Sequence, residues 1–106
     1  MSRFQCTPEL AEYMKMKGRS ILCVEVAQSN TSDIEIAEPF LRIITKEQSV
    51  YLKEKKRFRS RPLAIDDTTD GEVLLAPYHL TMDETVTFGR KKVFLFHVLT
   101  MDGIRL

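Results

Sequence analysis

The chain has 106 residues, 43% of them hydrophobic, which suits one domain, 1–106, with a modest core and leaves too little material for two. Sixteen Lys and Arg against fifteen Asp and Glu give a formal net charge of +1, so bulk charge draws the chain toward neither nucleic acid nor membrane. No stretch approaches the roughly 18 apolar residues of a membrane span, and MSRFQCTPEL lacks the apolar centre of a signal peptide; a cytoplasmic domain with no membrane partner is the expectation.

The first predicted element is a helix over TPELAEYMKMKG. Thr7 can cap it, Pro8 suits a first-turn position whose N–H would be unpaired anyway, and Gly18 can take the left-handed conformation that stops it. Leu10, Tyr13 and Met14 share one face. Cys6 stands just before this helix, where partial positive charge could favour a reactive thiolate. From Ile21 the period changes to two. ILCVEV reads as a strand with Leu22, Val24 and Val26 on one face and Cys23 as a small apolar side chain on the other. With no secretory signal, the two cysteines read as reduced thiols and not as a disulfide.

QSNTSD reads as a polar turn and IEIAEPFLRII as a further strand, with Pro39 marking a bend, a bulge or a sheet edge. KEQSVYLKEKKRF is ambiguous, because Val50 and Leu52 alternate as in a strand while the Lys and Glu content suits a helix; strand is favoured. Asp70-Gly71 carries turn chemistry before the apolar run Val73 to Ala76. A strand around Val86 and Phe88, a break near Gly89 and the apolar run Val93 to Leu99 follow. That run is apolar on both faces and is expected at the centre of the core. Asp102-Gly103 is a hairpin signal, though the chain can also continue extended through it. One helix and six or seven strands result, an α+β, mainly β fold with the helix packed on a twisted antiparallel or mixed sheet.

Catalytic chemistry finds little purchase. The four glycines stand too far apart for a phosphate loop, and there is no nucleophile-elbow sequence. Cys6, Cys23, His79 and His97 are the only thiol or imidazole ligands, and a metal would need three or four such groups to converge; each reads better as an ordinary core or surface residue. Asp66, Asp67 and Asp70 lack the alternating positions and closing glutamate of a calcium loop and read as a solvated turn.

The strongest local signal is KEKKRFRSR, in which Lys53, Lys55, Lys56, Arg57, Arg59 and Arg61 gather six of the sixteen cations in nine residues and leave the rest of the chain at −4. Such a stretch could neutralise several phosphates of a nucleic acid or other polyanion, with Phe58 available to stack on a base. In extended form it also makes a charged edge strand that discourages sheet-to-sheet pairing, and that reading is preferred. Arg90-Lys91-Lys92 is a second, smaller basic cluster.

TPELAEYMKMKGRSILCVEV, DETVTFGRKKVFLFHVLTMDGIRL and AEPFLRI together resemble small HesB-like proteins, relatives of the A-type iron–sulfur carriers, in particular the branch with a Cys-Cys or selenocysteine motif. The likeness covers about half of the chain and implies an HesB-like domain connected with iron–sulfur or selenium metabolism. It departs where the branch carries its thiol or selenol pair: Ala27 to Ser32, AQSNTS, holds no cysteine, and Ser or Asn cannot replace a thiolate as a soft ligand. The expectation is a non-catalytic binding or interaction module, without cofactor, that engages an unidentified protein partner, and an open sheet edge could also support a homodimer. Two alternatives stand beside it: a polyanion binder using Lys53 to Arg61, and a metal or cluster protein using Cys23 across a dimer.

Overall fold

A computed structural model describes residues 2–31 and 34–106, with the backbone alone for 29–31 and 34–36. The elements run β1 (Arg3–Cys6), α1 (Pro8–Lys17), β2 (Ile21–Thr31), β3 (Ile34–Ile44), α2 (Lys46–Lys55), β4 (Arg59–Ala64), β5 (Asp70–Leu75), β6 (Thr81–Val93) and β7 (Phe96–Arg105). All seven strands join one mixed sheet in the order β3-β2-β5-β4-β1-β6-β7. This is the α+β, mainly β architecture that the pattern predicts. β1 pairs parallel with β4 and β6, β2 pairs parallel with β5, and the other neighbours are antiparallel. The edge strands β3 and β7 approach within 8 Å between Cα atoms, so the sheet curls toward a barrel.

β2 and β5 are buried on both faces, which is why ILCV and VLLA are unbroken apolar runs. On one face Leu22, Val24, Val73 and Leu75 meet Val86, Phe88 and the α1 side chains Leu10, Ala11 and Met14. On the other, Cys23, Leu74 and Ile44 form a smaller cluster with Leu52 of α2, flanked by Ile21 and Phe58. Each of these large side chains contributes roughly 1.5–3 kcal/mol by leaving water. The Phe4 and Phe88 rings stack nearly parallel with centroids 6.2 Å apart and tie β1 to β6.

α1 forms for the reasons legible in its sequence. The Thr7 hydroxyl accepts from the Leu10 N–H, Pro8 opens the first turn, and Gly18 at φ +65° returns its N–H to the Lys15 carbonyl. Thr7 N–H also donates to the Phe88 carbonyl at 2.8 Å, which fixes the helix start against β6.

Five expectations need correction. The segment after Thr45 is a helix and not a strand: the Thr45 hydroxyl accepts from Gln48 N–H at 3.1 Å while the Gln48 side chain accepts from Thr45 N–H at 2.9 Å, a reciprocal capping box. Two alternating residues, Val50 and Leu52, were too few to set a strand period against that cap. Beside these five, Arg3–Cys6, to which the sequence pattern assigns no element, is an internal strand, β1. The β4–β5 turn lies at residues 65–69, closed by Ile65 and Asp66 N–H groups on the Thr69 carbonyl, and Asp70-Gly71 is already strand. β2 and β3 pair as far as Thr31 and Ile34, so QSNTSD is largely strand; Ser32 and Asp33 lie outside the described residues. β6 runs unbroken through Gly89, and Val93–Leu99, expected at the core's centre, is the end of an exposed hairpin.

Two further expectations are met. Pro39 lies on the edge strand β3, and the chain continues extended through Asp102-Gly103. Gly103, at φ +90°, stands opposite an irregularity in β6 between Met82 and Thr87, where a Cβ would come within 2.6 Å of the Thr85 carbonyl oxygen.

Candidate functional site

β6 and β7 extend past the curled body as a hairpin closed by the two-residue turn Phe94-Leu95, with Val93 paired to Phe96. Phe94 and Leu95 are each 88% exposed and Phe96 is 74% exposed. Val93 and Val98 are exposed beside them. Burial of so apolar a run would require a second layer of structure over both faces, and β7 lies at the sheet edge, where the described residues leave the hairpin end exposed. Phe94 also holds φ +55°, a position at which two-residue hairpins ordinarily use Gly or Asn. A bulky side chain in the left-handed region costs about 1–2 kcal/mol.

The hairpin stem is braced against α1. The Arg90 guanidinium lies 4.4 Å from the centroid of the Tyr13 ring, Lys17 Nζ lies 5.6 Å from it, and the His97 ring is 5.9 Å away in a tilted arrangement. Cation–π attraction and ring contact therefore give the exposed stem a fixed bearing. A groove of about 330 Å³ opens between the two elements, with Glu9, Glu12, Tyr13 and Met16 on the helix side and Arg90 and Lys92 on the strand side.

The basic run of the sequence lies elsewhere and in three conformations. Lys53 and Lys55 end α2, Lys56 caps it, Arg57 turns the chain at φ +60°, and Arg59 and Arg61 belong to β4. β4 lies inside the sheet, so the charged-edge explanation fails: the cations are displayed by a helix end, a turn and the start of an internal strand. Lys53, Lys55, Lys56, Arg57 and Arg59 are exposed and Arg61 is half-buried. Lys53 pairs with Glu72 at 3.1 Å, and the Ser60 hydroxyl donates to the same carboxylate. Partial burial works to raise the Glu72 pKa, but the Ser60 and Lys53 contacts outweigh it and the net shift is downward. Phe58 packs on the small cluster under α2, so it is turned away from the stacking role the sequence offered it.

The candidate metal ligands do not meet. Cys6 borders the large cluster, Cys23 is fully buried in the small one on the opposite face, His79 is exposed between β5 and β6, and His97 lies against Tyr13. Among the described residues no group of three His, Cys, Asp or Glu side chains is placed to hold a metal ion. Burial pushes the Cys6 thiol up to about 11, against the activation that its position before the helix start could have given it. Burial, reinforced by the Glu25 carboxylate and only partly offset by Arg42, pushes Cys23 up to about 12. Asp66 does act as a turn residue, accepting from Thr68 N–H at 2.9 Å. It also pairs with Lys15, and this contact together with Thr68 holds its carboxyl well below the usual range.

The hairpin end is the feature that sequence reasoning missed. A signal was present: Arg90-Lys91-Lys92 abuts VFLF directly, and a strand buried on both faces seldom begins from three consecutive cations. No protein-family model matches the chain, and no curated protein or solved structure matches it.

Proposed function

We propose that the chain is a small, non-catalytic binding module of HesB-like type that engages its partner through the β6–β7 hairpin. The exposure of Phe94, Leu95 and Phe96 carries this reading. Three successive large apolar side chains at one projecting end amount to on the order of 500 Å² of apolar surface, as large as the main patch of an ordinary monomer and confined to a single turn. A turn that only had to close the hairpin would hold Asn or Gly at position 94, so the strained aromatic points to use of its side chain. The absence of cysteine from Ala27 to Ser32 and the raised pKa of both thiols favour a binding role over a ligating or redox one. A setting in iron–sulfur or selenium metabolism rests on the sequence resemblance.

A photo-crosslinking side chain at Leu95, compared with one at exposed Thr68, tests the reading in cells producing the chain. A discrete protein or lipid adduct from position 95 and none from 68 is the expected result; no adduct from 95, or equal labelling from both, overturns it. A second reading is favoured by the exposed Lys55, Lys56, Arg57 and Arg59: a polyanion grip that works by charge, without stacking by Phe58. It predicts oligonucleotide binding whose affinity falls steeply with salt.

A further inference from the structure

The register of the hairpin decides what kind of surface its end fits. Residues paired across an antiparallel ladder share a face. Val93 with Phe96 and Lys91 with Val98 therefore lie on one face; Lys92 with His97 and Arg90 with Leu99 lie on the other, which turns toward Tyr13. Phe94 and Leu95 close the end. The tip carries apolar side chains at its end and flank, and just behind it cations stand on both faces, Lys91 on one and Arg90 and Lys92 on the other. No acidic residue occurs from Arg90 to Met101. The carboxylates nearest this collar across the groove, Glu9 and Glu12, belong to α1 and face only the Arg90 and Lys92 side.

A protein socket ordinarily meets one face of a hairpin and sets acids opposite particular cations. An apolar end with cations on both faces behind it matches a medium layered in depth and uniform sideways, hydrocarbon ahead and phosphates at collar height. Lys92 and Lys91 lie roughly 7 and 10 Å behind Phe94 at about 3.3 Å per strand residue, and Arg90 roughly 13 Å behind it. Apolar faces of interfacial segments sink about 5–10 Å to the boundary between headgroups and acyl chains. We infer that the hairpin is a lipid-insertion device that docks the chain reversibly on an anionic lipid surface, with Phe94, Leu95 and Phe96 below the phosphates and the exposed Lys91 and Lys92 among them. The inference rests on the hairpin being the binding element, as proposed above. It revises the sequence expectation of no membrane partner, which rested on net charge and on the lack of a span; among the described residues no helix is long and apolar enough to cross a membrane, and surface docking needs none.

The test is cosedimentation of the full chain with phosphatidylcholine vesicles, alone and with a minority of phosphatidylglycerol. Binding to the anionic vesicles is expected to fall more than tenfold in a Phe94→Asn, Leu95→Asn, Phe96→Thr variant, and roughly fivefold for each of Lys91→Ser and Lys92→Ser. Leu95→Trp introduces the only tryptophan of the chain, and its emission should shift to the blue on anionic vesicles if the tip enters them. All variants are first shown to unfold cooperatively. No binding by the native chain overturns the inference, as does equal binding by the tip variant. So does a loss on neutralising Lys55, Lys56 and Arg57 that matches the loss from the collar. A protein adduct at Leu95 in cells together with failure on vesicles leaves the hairpin as the binding element of a protein-docking module; failure of both removes the hairpin from function altogether.

Discussion

Phe94 concentrates the tension between stability and use in one residue. Its side chain packs on little and its backbone lies in the left-handed region, so Phe94→Asn relaxes the turn without opening a cavity. The expected outcome is a gain of about 1 kcal/mol in urea unfolding together with weaker binding by the hairpin. A loss of stability would mean that the ring packs on something. The thiols make a second residue-level prediction. Both folded pKa values lie above the unfolded value of 9.0, so the neutral thiol is the form the fold prefers. Their contribution is complete below pH 9 and is lost as pH rises, through about 11 for Cys6 and about 12 for Cys23. The stability difference between the native chain and Cys6→Ala, Cys23→Ala should therefore be constant from pH 6 to 8, within ~0.5 kcal/mol, and should shrink above pH 9. At this scale the caps Thr7, Pro8 and Gly18 were legible because each acts on its immediate neighbours. Phe94 was not, since nothing about Phe-Leu announces a turn.

Among the elements, α2 shows how a local signal can be outvoted by a short alternation. The Thr45 to Gln48 spacing was in plain view, and Leu52 is the one large apolar side chain the helix sends into the cluster with Cys23, Ile44 and Leu74. Val50 lies toward solvent, 42% exposed. Thr45→Ala should cost about 1 kcal/mol by removing the cap, and Leu52→Ala about 2–4 kcal/mol by leaving a cavity under the helix. Val50→Ala should be neutral or slightly stabilising, because alanine is the better helix former and little packing is lost. In a strand it would be destabilising, so urea unfolding of these three variants reports both the element and its orientation. The hairpin was misplaced for a related reason. Hydrophobic periodicity records that Val93 to Leu99 avoids polar residues, and a strand at the centre of a core and one that meets an outside surface share that property.

At the scale of the molecule, the class of fold was readable while its order was not. β1, four residues at the beginning of the chain, inserts between β4 and β6 and pairs parallel with both, a choice governed by contacts more than fifty residues away that no local pattern encodes. The same holds for the sites: the basic run was visible as composition, whereas the collar behind the hairpin tip exists only once Arg90, Lys91 and Lys92 are paired against Leu99, Val98 and His97. Salt separates the surfaces this arrangement could serve. Two tips brought together would set three cations against three, a repulsion felt across a Debye length of roughly 14 Å at 50 mM salt and roughly 4 Å at 0.5 M. Self-association through the hairpin should therefore strengthen as salt rises, and should vanish in the Phe94→Asn, Leu95→Asn, Phe96→Thr variant. Binding to anionic vesicles depends on the same cations with opposite sign and should weaken over the same range. Sedimentation velocity at the two salt concentrations, set beside vesicle binding at the same two, is expected to show a monomer of 12.3 kDa at low salt and concentration-dependent growth at high salt. Association that weakens with salt would place oppositely charged surfaces in the self-contact and take the hairpin out of it.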